Sequence, residues 1–260
     1  MAQVEAGSPE RFGYSWERFS ALTDAQERQF RAWTGPAVPE GGWRGVSFLD
    51  AGCGAGRNSY WPMKYGAKRG IAFDLDERSL AAARTNLAAF PQVQVEKASI
   101  YDTPYEDRFD IVFSIGVVHH LDDPERAIRQ LVKAAKPGGK VLVWLYGHEN
   151  LGFYVNVLSP VRKVFFSWAP VSIVRLLAFL PATVLYILLK LGFTPLEYLR
   201  MLKSFPFDHL HHIVFDQMLP RTARYYRKDE AVLLLEQAGL VDIEAFHINE
   251  ISWTVTGTKR

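Results

Sequence analysis

The chain has 260 residues, 48% of them hydrophobic, and its 30 Lys and Arg stand against 28 Asp and Glu for a formal charge of +2. That length suits one sizeable core and is too short for two full catalytic domains, and so even a charge makes no case for a nucleic-acid surface. The single cysteine, Cys53, excludes an internal disulfide, and residues 1–10 lack the basic and apolar regions of a secretory signal, so the expected location is the cytoplasm.

In chain order, the first feature is an aromatic stretch at residues 12–19. It is expected to fold over a ligand, with Tyr14 and Trp16 as contacts, or to lie as an amphipathic helix on the core. Strand-like runs follow at 46–50, 70–74, 93–97, 109–114 and 140–146. Between them lie helix signals at 78–90, ended by Pro91, and at 124–136, opened by Asp122-Asp123-Pro124. Such alternation predicts an α/β fold with a mostly parallel sheet and helices on both faces. The pattern breaks at 148–219 and resumes with a helix at 228–239 and strands at 241–248 and 251–258. Four regions are therefore expected: a cap at 1–45, a core at 46–147, a hydrophobic helical insertion at 148–219, and a return to the core sheet at 220–260.

The first strand runs into Leu49-Asp50-Ala51-Gly52-Cys53-Gly54-Ala55-Gly56-Arg57. Three glycines among small residues leave main-chain amides bare, and a loop between a strand and a helix N-terminus is where a doubly wound sheet holds a nucleotide-like ligand. Cys53 reads as a small residue that fits a tight loop. The second strand ends in Asp74, at a spacing that suits an acid accepting hydrogen bonds from ribose hydroxyls.

With the later segments Val93–Ile100, Pro104–Ser114, Val117–Leu121 and Lys136–Val143, the series over residues 46–147 resembles the class I S-adenosylmethionine-dependent methyltransferases that carry a Leu-Asp-x-Gly-Cys-Gly-x-Gly loop. The resemblance implies a Rossmann-like seven-stranded sheet with an antiparallel last strand, and S-adenosyl-L-methionine as cofactor. It implies that Asp50, Gly52 and Gly54 hold the methionyl part and that Asp74 grips the ribose, with Leu75 beside the adenine. Ser99 and Ile100 then face the adenine, although the family usually has an acid where this chain has Ser99. Ser114, Ile115 and Gly116 pass close to the methyl donor. Asp110 fits a structural acid at the start of its strand.

The interruption should define the acceptor. Residues 176–189 form an uncharged run of 14 that holds Pro181 and is bracketed by Arg175 and Lys190, short of the ~20 needed to cross a bilayer. Across 151–202 five basic residues oppose only Glu197. This greasy, cationic segment suits helices on an anionic membrane surface or a lid over a hydrophobic acceptor, and equally a packed cap at a homodimer contact. Next comes Asp208-His209-Leu210-His211-His212, and an oxygen or nitrogen nucleophile must lose its proton as the methyl arrives. His209, His211 and His212 are therefore candidate general bases, as are His119 and His120 at the mouth of the sheet. A metal site among Asp208, His209, His211 and Asp216 matches no zinc spacing, so no metal is expected. The expected activity is methyl transfer to a hydrophobic or lipid-linked small molecule, at oxygen. The alternatives are a sugar or other polar acceptor with the insertion serving dimerisation, or a binding module that has lost transfer.

Overall fold

The computed structural model describes residues 9–18, 22–152, 154–166 and 168–260; residues 1–8 and 19–21 of the expected cap lie outside them. Helices α1 (Pro9–Arg18) and α2 (Asp24–Thr34) precede an alternating core: β1 (Ser47–Ala51), α3 (Arg57–Lys64), β2 (Arg69–Asp74), α4 (Glu77–Asn86), β3 (Val93–Lys97), β4 (Phe109–Ile115), α5 (Pro124–Ala134) and β5 (Ala135–Tyr146). A short π-helix at Tyr154–Leu158 leads into α6 (Ser159–Phe165), α7 (Val171–Lys190), α8 (Glu197–Lys203) and α9 (Phe207–Met218). The chain then returns through α10 (Lys228–Glu236), β6 (Leu240–Ile248) and β7 (Ser252–Lys259).

The seven strands form one sheet in the order β3-β2-β1-β4-β5-β7-β6, parallel except for β7, which runs antiparallel to both β5 and β6. Strands β1 and β4 are covered on both faces, which is why they read as continuous apolar runs rather than as alternating ones. Successive side chains serve opposite layers. Phe48 and Phe113 pack with Phe30, Trp43 and Trp61 on the α2–α3 side, while Leu49 and Val112 pack with Ile128 and Leu131 of α5 and Leu235 of α10 on the other. Ser47 donates from both its backbone N and its hydroxyl to Asp110 (2.8 and 2.6 Å), and Lys136 donates to the same carboxylate (2.6 Å). Desolvation raises the Asp110 carboxyl, but these donors outweigh it and hold the pKa down to about 2. Asp110 is thus the structural acid that the sequence led us to expect.

The helix expected at 78–90 stops at Asn86. Asn86 Nδ2 donates to the Ala55 carbonyl (2.9 Å), and residues 87–90 form a turn closed by Phe90 N to Leu87 O (2.8 Å); a residue ahead of Pro91 is also sterically pushed out of the helical region. At the other end, Asp76 caps α4 by accepting from the amides of Arg78 and Ser79. Helix α1 crosses this cap, and a Cβ on Gly13 would lie 2.0 Å from the Asp76 carboxylate.

Gly70 of β2 faces the Phe48 ring so closely that a Cβ would lie 2.2 Å from it, and Phe48 is fully buried. Gly70→Ala should therefore destabilise the fold by about 2 kcal/mol through forced displacement of that ring, read as a lower urea midpoint with unchanged slope. An unchanged midpoint would contradict the packing described.

Candidate active site

The carboxyl ends of β1, β2, β4 and β5 open into a cavity of about 860 Å³ covered by α1 and by the helices of the insertion, near the upper end of the ~300–1,000 Å³ typical of ligand sites. Its floor is the glycine loop. The amides of Gly52 and Cys53 both donate to the Phe73 carbonyl (2.9 Å each), which wraps the loop around the end of β2. Gly52 and Gly54 sit at φ +79° and +53°, and a Cβ on Gly52 would come within 2.5 Å of Val117, so this turn requires glycine there.

Asp74 closes the loop from the other side. One carboxylate oxygen accepts from Gly54 N (2.9 Å) and the other from Leu75 N (2.7 Å) and Asp76 N (3.1 Å). Burial raises its carboxyl above the ordinary range in spite of those three amides, and the neighbouring Asp76 charge adds to the rise. Further donors, such as a pair of hydroxyls, would favour the ionised form.

The remaining expected cofactor residues divide into two groups. Trp16, Leu75, Ile100, Ile115 and Gly116 line the cavity together with Gly52, Gly54 and Asp74. Asp50, Ser99, Ser114 and Tyr14 do not. Asp50 is buried behind the loop, where it accepts from Ser59 Oγ (2.7 Å), and desolvation lifts its pKa to about 7. It ties β1 to α3. Ser114 Oγ donates to the Ala51 carbonyl (2.8 Å) and so crosslinks β4 to β1. The Ser99 hydroxyl accepts from Tyr101 N (3.2 Å) and stays with its own turn, while the apolar Ala98 and Ile100 face the cavity. Tyr14 packs edge-on against Phe215, below α9.

The five candidate histidines divide as well. His119 is fully buried outside the lining, with its ring stacked on Tyr146 (3.8 Å between centroids), and burial pushes its pKa well down. His211 points to the opposite side of α9, where Nε2 donates to the Arg175 carbonyl (3.1 Å) and the ring lies parallel to Phe207. Neither reaches the cavity, because packing claims their rings. His120, His209 and His212 do line it. His120 Nδ1 donates to the Thr222 carbonyl (2.8 Å), and desolvation lowers its pKa to about 4; the same cause, joined by the Arg57 charge, lowers His209 to about 4.

The most organised polar group joins His212, expected from the sequence as a candidate base, to Asp216 and to Ser15, which the sequence did not single out. His212 Nε2 lies 2.9 Å from Asp216 Oδ2 and 2.9 Å from Ser15 Oγ, and Ser15 Oγ donates to Asp216 Oδ1 (2.5 Å). Because the carboxylate can only accept, neutral His212 carries its proton on Nε2. Desolvation raises the Asp216 carboxyl, but His212, Ser15 and Arg57 outweigh it and hold it ionised. Arg57, the first residue of α3, lies 4.3 Å over the Trp16 ring, and desolvation brings its pKa down to about 10. Trp16 in turn covers Gly54 and meets the His212 ring edge-on (5.9 Å). The one available signal was spacing: 209, 212, 213 and 216 share a face of a helix.

Burial of His120 makes a pH prediction. Its pKa in the fold is about 4 against an ordinary 6.5, so the neutral form is the one that folds, and its contribution is fully present above pH 6.5 and is lost as pH falls toward 4. His120→Gln, which keeps a donor for Thr222, should lose on the order of 2 kcal/mol less than the wild type over that interval, measured by urea unfolding at stepped pH. Parallel curves would contradict it.

Comparison with known proteins agrees with this geometry. The methyltransferase-domain family profile matches residues 49–143. Tocopherol O-methyltransferase of Arabidopsis thaliana is 29% identical over 150 residues, covering 55% of this chain and 38% of that protein. Norajmaline N-methyltransferase of Rauvolfia serpentina is 30% identical over 121 residues, covering 45% and 41%. The chain thus matches about two fifths of the length of these curated relatives. Among solved structures, magnesium protoporphyrin IX methyltransferase from Synechocystis PCC 6803 with bound SAH superposes with a TM-score of 0.58 at 12% identity over 98% of this chain and 96% of that one, a likeness of fold. Residues 49–143 of the chain thus carry a methyltransferase domain, and the glycine loop, the Asp74 latch and the sheet order agree with the class I S-adenosylmethionine-dependent methyltransferases.

Proposed function

We propose that this chain is a methyltransferase that uses S-adenosyl-L-methionine to methylate an apolar small molecule, at oxygen. The observation that carries this reading is the Asp74 carboxylate, fixed by three amides at the lip of a glycine-floored cavity. The residues present fit the cofactor. Asp74 is a poised acceptor for two ribose hydroxyls, Leu75 and Ile100 offer apolar contact to a purine, and Gly52 and Gly54 line the cavity without side chains, so a ligand can lie close to the main chain. Arg57, directly after the loop, partly buried and lining the cavity, is a cation suited to the carboxylate of the amino-acid end.

When bound, the cofactor supplies an electrophilic methyl on a sulfonium that leaves readily. The protein's share is then to align the acceptor, exclude water and take up a proton. Leu177, Leu180, Pro181, Leu185, Leu199 and Leu202 make the far wall of the cavity apolar, which favours a hydrophobic acceptor. Of the histidines that line the cavity, His212 is the one backed by the ionised Asp216, and with Nε2 on that carboxylate the hydroxyl proton would go to Nδ1, the carboxylate stabilising the imidazolium that forms. His120 and His209, held neutral by burial, add polar contacts without a standing charge.

Calorimetry with S-adenosyl-L-methionine tests the first half. The wild type should bind at one site, and Asp74→Ala should weaken binding about 100-fold through loss of two charge-assisted hydrogen bonds, whereas Asp110→Asn, outside the cavity, should not. No binding by the wild type, or equal binding by Asp74→Ala, overturns the reading. In a labelled-methyl assay on a lipid extract, His212→Gln and Asp216→Asn should lower the rate by roughly 10² or more with cofactor affinity little changed. Equal labelling of a polar-metabolite extract would contradict the apolar acceptor.

A further inference from the structure

The insertion leaves a large apolar surface uncovered. Helix α7 has 20 residues, and its most apolar stretch of 18 has a mean hydropathy of 2.1, yet only 17% of that stretch is buried. Its inner edge, Val174 and Ala178, packs on Phe215 and Leu219 of the α9 region. Its outer face presents Leu176 and Leu180 at 74% and 72% exposure, continued by Leu191 (79%) beyond its end and by Phe165 and Trp168 from the α6 side.

Two observations say what covers this face. The first is charge: between residues 151 and 203 the sequence holds six basic residues and one acid, Glu197, and although Arg162 is buried, Lys163 of α6, Lys190 at the end of α7 and Lys203 of α8 are exposed. The second is continuity with the cavity. Val161, Leu177 and Leu180 are exposed to solvent and also line the cavity, so the greasy surface and the acceptor wall are one surface that passes through the mouth of the site. A helix whose Leu177, Leu180 and Leu185 wall that cavity cannot also be surrounded by lipid. Moreover, the uncharged run between Arg175 and Lys190 spans 14 residues, less than the ~20 that crossing requires. The geometry is that of a helix lying in the interface, with its apolar side in the acyl boundary and its lysines among anionic headgroups.

From this we infer that the α6–α7 face docks on an anionic membrane surface and turns the mouth of the cavity toward the lipid, so that the acceptor is drawn from the bilayer. The inference rests on the proposed methyltransferase site and deepens it by naming the phase that supplies the acceptor. Docking itself needs no catalysis, so the two are tested apart.

The experiment is vesicle flotation of the full chain with phosphatidylcholine alone and with about a quarter phosphatidylglycerol. The wild type should float with the anionic vesicles at least about tenfold more than with the neutral ones, and less as salt rises from about 0.1 to about 0.5 M. The double variant Leu176→Glu, Leu191→Glu, at positions outside the cavity lining, should float at least about tenfold less. It should retain wild-type melting temperature and wild-type calorimetric binding of S-adenosyl-L-methionine. A wild type that stays unbound to every vesicle overturns the inference, whether light scattering shows a monomer or a dimer with the face buried between two copies. A double variant that floats as well as the wild type does so too. Loss of cofactor binding with flotation intact would instead strike at the proposed function and leave docking standing.

Discussion

The arrangement depends on one latch, the hydrogen bonding of the Asp74 carboxylate to the amides of Gly54, Leu75 and Asp76. It joins the glycine loop after β1 to the turn after β2, two segments twenty residues apart, and so fixes the path of the loop across the cavity floor. The latch is costly, because the carboxylate is largely desolvated and its ionised form is disfavoured until more donors arrive. A site whose charged group is held in place but left short of donors is prepared for a ligand that brings them.

The second half of the cavity is assembled over this floor by the insertion. Helix α9 turns His209, His212 and Asp216 inward, α1 brings Ser15 and Trp16 down onto them, and Arg57 at the start of α3 closes the group beside the loop. The polar cluster thus draws on three elements, α9, α1 and the start of α3, that are far apart in the chain. The leucines of α7 and α8 supply the apolar wall. Asp216, held ionised by His212, Ser15 and Arg57, sets the charge pattern at this end of the cavity.

What the sequence made legible was local. The strands, the glycine loop and Asp74 were readable because a strand, its turn and the following acid are encoded within about two dozen residues, and the structure places β2 at Arg69–Asp74 and β3 at Val93–Lys97. Polar residues inside those motifs were harder to assign. Asp50 and Ser114 carry the motif's chemistry yet spend it on Ser59 and Ala51, which only the packing of α3 and β4 on β1 reveals. The His212–Asp216–Ser15 group was not legible, since Ser15 and His212 are 197 residues apart and three neighbouring histidines obscured which one faces inward. His119 and His211 look equivalent to His120 and His212 in sequence, and only ring packing separates them.

A crystal structure of the chain with S-adenosyl-L-homocysteine tests the central claim most directly. The account predicts both ribose hydroxyls within hydrogen-bond distance of the Asp74 carboxylate and the amino-acid end along the glycine loop toward Arg57. A ligand bound elsewhere, or one whose ribose leaves Asp74 with its three amides alone, would contradict it.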